Sequence, residues 1–122
     1  MPNASRFTVE QADGEITVVT LTDQQLMDTM MVSGFQDALI EFVADRDPRR
    51  LVIDFRCVKQ CSTAVMNGLL RVKKRLVLSQ GKLRLCNMNP HVFKAFSMLN
   101  LVGSVFQVDA TLADSLTSLR GE

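Results

Sequence analysis

Leu51-Val52-Ile53-Asp54-Phe55 is a short run of strand formers, and a turn later the hydroxyl pair Ser62-Thr63 follows. The first segment is unbroken rather than alternating, as expected of a central strand buried on both faces. The second stands where a helix would begin. From there Val65, Leu69, Val72 and Leu76 fall on one stripe at about 100° per residue. A strand over 51–55, a connection through Cys57-Val58-Lys59-Gln60-Cys61 and a helix over 62–78 is therefore expected, with Gly81 as its stop.

Working outward toward the C-terminus, Lys82-Leu83-Arg84-Leu85-Cys86-Asn87 alternates and predicts another strand. Pro90 is suited to a first helical turn and opens a short helix through about Asn100. Val105 to Val108 predicts a brief strand. Thr111 to Leu119 predicts a last helix, with Leu112, Leu116 and Leu119 on one side. Toward the N-terminus, Asp45 to Arg50 holds Pro48 and five charged residues, which stop a helix that runs from about Asp28 through Val32, Phe35, Ala38, Leu39, Phe42 and Val43. Before it, residues 6–11 and the β-branched run 15–21 flank Asp13-Gly14, a hairpin signal. The order is β-β-α-β-α-β-α-β-α. It implies an α/β fold in which an N-terminal hairpin is followed by alternating strands and helices, giving a mixed sheet packed by helices. One domain over residues 1–122 is expected.

Composition excludes several classes of function. Apolar residues make up 47% and charged residues 22% of the 122 positions, a globular balance. The net charge of +1 gives no global field for nucleic acid or an anionic membrane. Three cysteines, Cys57, Cys61 and Cys86, are an odd number without a C-x-x-C pair, which points to reduced thiols in a cytosol. With His91 the only histidine, a four-ligand zinc site is not expected. Met1-Pro2-Asn3-Ala4-Ser5-Arg6 lacks the apolar core of a signal peptide. No apolar run approaches the ~20 residues of a membrane span. A soluble cytoplasmic protein without cofactor or metal is expected.

The ordered series is a buried strand, a hydroxyl loop at a helix start, a Gly before the next strand, and then Pro90-His91-Val92-Phe93-Lys94-Ala95-Phe96 followed by Leu99-Asn100-Leu101. It resembles the STAS family, the domain of sulphate transporters and anti-sigma factor antagonists, over nearly the whole chain. The resemblance implies a bacterial signalling regulator that binds a partner and is not an enzyme. Its partner would be an anti-sigma factor of the serine-kinase type, with a PP2C-like phosphatase as a second. In antagonists of this family the partner kinase phosphorylates a loop hydroxyl and thereby releases itself. The physics is simple: a phosphate brings nearly two negative charges at pH 7, tolerable at a helix N-terminus but costly to bury in an apolar interface.

The loop departs from the family's Asp-Ser-Ser-Gly-like motif. Aligned without gaps, the Asp falls on Ser62, the first hydroxyl on Thr63, the usual acceptor on Ala64 and the Gly on Val65. The phosphorylation candidates are accordingly Thr63 and then Ser62, because Ser62 is expected to cap the helix through backbone N–H groups near Ala64 or Val65, worth about 1 kcal/mol. A scaffold or small-ligand-binding module without a phosphoswitch is the alternative. Gln60, Cys61, Met66, Asn67 and Leu70 are the candidate partner contacts, Met66 because methionine adapts to irregular surfaces. On the second helix, Met66, Leu70 and Val77 make a second stripe with Lys73 between the two. Either that stripe is partly exposed for a partner or Lys73 snorkels from one broad core face. Arg71, Lys73, Lys74 and Arg75 are expected to be a solvated face that also suits the helix C-terminus. Asp54 is expected to bond backbone N–H groups at its strand end. Cys61, at a helix N-terminus, is either a thiol of lowered pKa or a small core residue. No catalytic constellation accompanies it.

Overall fold

Ile16-Thr17-Val18-Val19-Thr20-Leu21 and Leu51-Val52-Ile53 are buried throughout, so both segments form strands covered on two faces. The protein's structure, a computed structural model, describes residues 7–12, 15–27 and 29–120. Among these the elements are β1 (Phe7–Ala12), β2 (Ile16–Leu21), β3 (Gln25–Leu26), α1 (Thr29–Arg46), β4 (Arg50–Asp54), β5 (Gln60–Cys61), α2 (Thr63–Leu78), β6 (Lys82–Cys86), α3 (Pro90–Met98), β7 (Gln107–Asp109) and α4 (Leu112–Arg120). The main sheet runs β1-β2-β4-β6-β7. β1 is antiparallel to β2 and every other pair is parallel. It is the expected mixed sheet with helices packed on it. The Asp13-Gly14 turn, Arg6 at the start of the first strand and Asp28 at the expected helix start lie outside the described residues.

Each parallel step needs a crossover, and α1, α2 and α3 supply them. The steps all run the same way along the sheet, so crossovers of one hand bring these helices to one face. There Val19, Leu21, Leu51, Ile53 and Leu85 pack with Phe35, Leu39, Val65, Leu69, Val72 and Phe96. The opposite face carries Ile16, Val18, Val52 and Cys86 under Leu119 of α4. Arg84 of β6 donates two hydrogen bonds to Asp109 of β7, at 2.7 and 3.1 Å, and Ser115 of α4 donates a third at 2.6 Å. The Arg84 hydrogen bond is the main reason that the Asp109 carboxyl titrates below its usual range. α1 and α2 approach closely at Gly68, where a Cβ would stand 2.5 Å from Cγ of Gln36.

Three details differ from expectation. The last strand is Gln107–Asp109 rather than 105–108, because Phe106 turns into the core against Phe96, with ring centroids 5.9 Å apart. The N–H groups of Val105 and Phe106 close back on the Leu101 carbonyl. The connection 57–61 contains a strand of its own, since Gln60 and Cys61 pair in parallel with Gln25 and Leu26. Two residues are too short to show a period. The third helix ends at Met98, and Asn100 takes a φ of 58°, a left-handed conformation that Asn tolerates.

Candidate functional site

The loop between β4 and α2 is held by its backbone. Val58 donates to the Phe55 carbonyl at 2.9 Å, Lys59 to Gln24 at 2.7 Å and Ser62 to Leu26 at 2.9 Å. Asn89, the N-cap of α3, reaches it from the other side: its Nδ2 donates to the carbonyls of Val58 and Lys59, at 3.4 and 3.2 Å. Asn87, with φ 58°, donates to Oδ1 of Asp54 at 3.1 Å. Asp54 is fully buried and also accepts the Arg56 N–H at 2.9 Å, the strand-end role expected of it. Its other oxygen has no hydrogen-bond partner among the described residues but faces the Arg56 guanidinium at 3.6 Å. Asn89 and Gln24 were not singled out from sequence. An Asn directly before a Pro is a recognisable helix start, whereas nothing in Gln24 marks it.

Ser62 occupies the N-cap position of α2 with φ −86° and ψ 166°, but its side chain makes no cap bond. The expected capping is thus corrected: Val65 N–H instead meets the Ser62 carbonyl at 3.1 Å, and Oγ is buried without a protein partner among the described residues. Thr63, the first residue of α2, is exposed, and so is Ala64. Gln36 of α1 donates to the Ala64 carbonyl at 2.6 Å, fixing the first turn. Beside it, Met27, Val32, Ser33, Gln36, Ser62 and Ala64 line a hollow of about 340 Å³. No acidic residue stands in this first turn, so a charge placed on Thr63 would meet the helix dipole without local repulsion.

The proposed partner contacts separate. Gln60 and Asn67 are exposed and Cys61 is half-buried, all close to the hydroxyls in sequence. Met66 is 3% exposed and belongs to the core, so its expected role as a contact is corrected: the fourth residue of α2 is on the helix's buried face. Leu70 is half-buried and lines a different depression, further along the helix. Burial pushes the Cys61 thiol up to about 11, and burial together with the Asp54 charge pushes Cys86 up to about 12. A nucleophilic thiolate at Cys61 is therefore disfavoured, and the small-core alternative holds. Lys73 donates to the Val105 carbonyl and lies 5.9 Å from the Phe106 ring centroid. The second stripe is the partly exposed one of the two alternatives: Met66 is buried, Leu70 half-buried and Val77 exposed, with Lys73 half-buried beside it.

Comparison with known proteins fits this geometry. The family model for the STAS domain matches residues 7–115. Among solved structures, an anti-sigma factor antagonist from Mycobacterium paratuberculosis is 24% identical, with 98% of this chain and 97% of that chain covered at a TM-score of 0.81. The unphosphorylated form of the anti-sigma factor antagonist SpoIIAA is 21% identical, with coverage of 95% and 97% and a TM-score of 0.76. A chain of the stressosome, described as a signal integration and transduction hub, is 19% identical, with coverage of 93% and 96% and a TM-score of 0.69. At these identities the structures establish a shared fold. No curated protein sequence matches the chain. No helix among the described residues is long and apolar enough to cross a membrane.

Proposed function

The chain belongs to the STAS domain family, and from that premise we propose that it is a cytoplasmic, bacterial, non-enzymatic regulator of transcription of the anti-sigma factor antagonist type. It docks on a serine-kinase-like anti-sigma factor through the loop 57–63 and the start of α2, and the partner switches it by phosphorylation of Thr63. The observation that carries this reading is that Thr63 is exposed at the first position of a sixteen-residue helix. Ser62 is a poor acceptor because its Oγ is sealed from solvent. Phosphate on Thr63 would be stabilised by the helix N-terminus in the free protein and would have to be desolvated in the complex. The contacts that remain are Gln60, Cys61 and Asn67. A PP2C-like phosphatase would reverse the modification.

Ala64 favours a second reading. It is exposed where the family pattern places the usual acceptor, which leaves room for a scaffold that binds constitutively.

The test is intact mass of the protein from its own cells, followed by peptide fragmentation. Phosphate on Thr63 supports the switch, with Thr63→Glu then losing the kinase partner in a pull-down and Thr63→Ala retaining it. Absence of phosphate under every growth condition would sink the switch and leave the constitutive binder. Asn67→Arg is the interface control, since Asn67 is exposed and the core does not depend on it.

A further inference from the structure

α2 carries an exposed surface that the hydroxyl loop does not use. Leu70, Val77 and Leu78 line, with Val105 of the turn before β7, a groove of about 590 Å³. Val77 is 59% exposed and Leu78 81% exposed. Neighbouring apolar side chains lining one concavity mark an interaction surface, where single exposed ones would not.

The charge around the groove is one-sided. The sixteen residues of α2 include Arg71, Lys73, Lys74 and Arg75 and no acid, in a chain whose net charge is only +1. Lys74 lines the groove and is exposed, and Arg71, three residues before it on α2, is exposed as well. Lys73 folds onto the Val105 carbonyl and the Phe106 ring, so its aliphatic stem joins α2 to the turn and forms part of the floor.

We propose that this groove is a second docking site, which takes an acidic amphipathic helix of a partner protein. An apolar stripe on such a helix would fill the depression as in other helix-in-groove complexes, and its flanking carboxylates would meet Arg71 and Lys74. Two other occupants fit less well. A bilayer is engaged by apolar residues that project from a convex face, whereas here they line a hollow between a helix and a turn. A second copy meeting this one through the same face of α2 would set the exposed Arg71 and Lys74 against the same two bases across an isologous contact. The groove begins at Leu70, seven residues along α2 from Thr63 or about 10 Å at the helical rise, and runs away from it. Val77 lies fourteen residues from Thr63 along α2, about 20 Å at the helical rise.

The experiment uses the full chain, isotopically labelled for amide NMR, and a designed peptide of about four helical turns with leucines on one face and glutamates beside them. The expected result is that amide shifts are confined to Leu70–Leu78 and Ser104–Phe106, with binding that weakens as salt is added. Lys74→Glu and Leu78→Asp should each weaken the peptide by about tenfold, with thermal melting confirming that both variants fold. Thr63→Glu should leave peptide affinity unchanged, so loss of the phosphoswitch and loss of this site read out separately. Equal binding of the counterpart peptide carrying lysine for glutamate would overturn the proposal, as would shifts that map elsewhere or an unaffected Lys74→Glu variant. So would Leu78-dependent binding to phosphatidylglycerol vesicles in the absence of peptide binding, or Leu78-dependent self-association in sedimentation.

Discussion

Two helices of this protein begin from nearly the same backbone and are capped in opposite ways. At the start of α3, Asn89 has φ −73° and ψ 166°, and its Oδ1 accepts the Val92 N–H at 2.7 Å. Its amide nitrogen then ties down the carbonyls of Val58 and Lys59. At the start of α2, Ser62 has φ −86° and ψ 166°, and among the described residues its hydroxyl bonds nothing. The first end is built for stability and lends some of it to the loop beside it. The second is held by neighbours instead: by the Leu26 carbonyl on Ser62 N–H, by Gln36 on the Ala64 carbonyl, and by Val65 and Met66 in the core. Such an end can present Thr63 to another molecule without giving up a side-chain cap. Departures from local rules of this kind are expected where function rather than stability chose the residue.

The sharpest way to break the contrast is to remove what holds α2. Met66→Glu puts a carboxylate into the core, and a loss of about 4 kcal/mol in urea unfolding is expected. A stably folded Met66→Glu protein that lost only partner binding would return Met66 to the surface. Asn89→Ala comes next, at about 2 kcal/mol: roughly 1 for the cap and a similar amount for the two loop carbonyls. Hydrogen exchange at Lys59 and Gln60 should speed up in the same variant, because the loop loses a tether. An unchanged exchange rate there would confine Asn89 to its own helix. Gly68→Ala is smaller, about 1 kcal/mol. The new methyl displaces Gln36 from the Ala64 carbonyl, while the better helix propensity of alanine offsets part of the loss. A more stable Gly68→Ala protein would show that Gln36 does not fix the α2 start.

The same contrast explains what was legible in the sequence. The main sheet and the four helices were readable because Val65, Leu69, Val72 and Leu76 keep one period, and because Leu51-Val52-Ile53 has no polar break. β3 and β5 were not readable, since a two-residue pair formed across thirty-five positions carries no pattern. For the site, Thr63 and Ser62 were visible as hydroxyls, but their exposure was not. Which of two adjacent residues faces solvent at a helix start depends on the incoming backbone, here fixed by Leu26. Met66 was misplaced for a related reason. The second stripe of α2 is not one surface: Met66 at its beginning lies in the core, and Val77 at its end is open. Asn89 carried a usable signal in its position before Pro90, but its reach to Val58 and Lys59 is tertiary.

Ser62→Ala has the smallest expected effect and tests the comparison most directly. A serine that capped α2 would cost about 1 kcal/mol to remove. A buried hydroxyl without a partner carries a desolvation penalty of about 1–3 kcal/mol, which alanine relieves. With no cap bond to lose, the variant is expected to match the native protein in urea unfolding to within about 0.5 kcal/mol, or to exceed it. A loss near 1 kcal/mol would mean that the hydroxyl rotates onto the helix N–H groups in solution, and the two helix starts would then differ in degree only. The variant also separates the two hydroxyls chemically. If the native protein carries phosphate on Thr63, Ser62→Ala retains it, whereas its loss would move the modification to Ser62 and require the start of α2 to open.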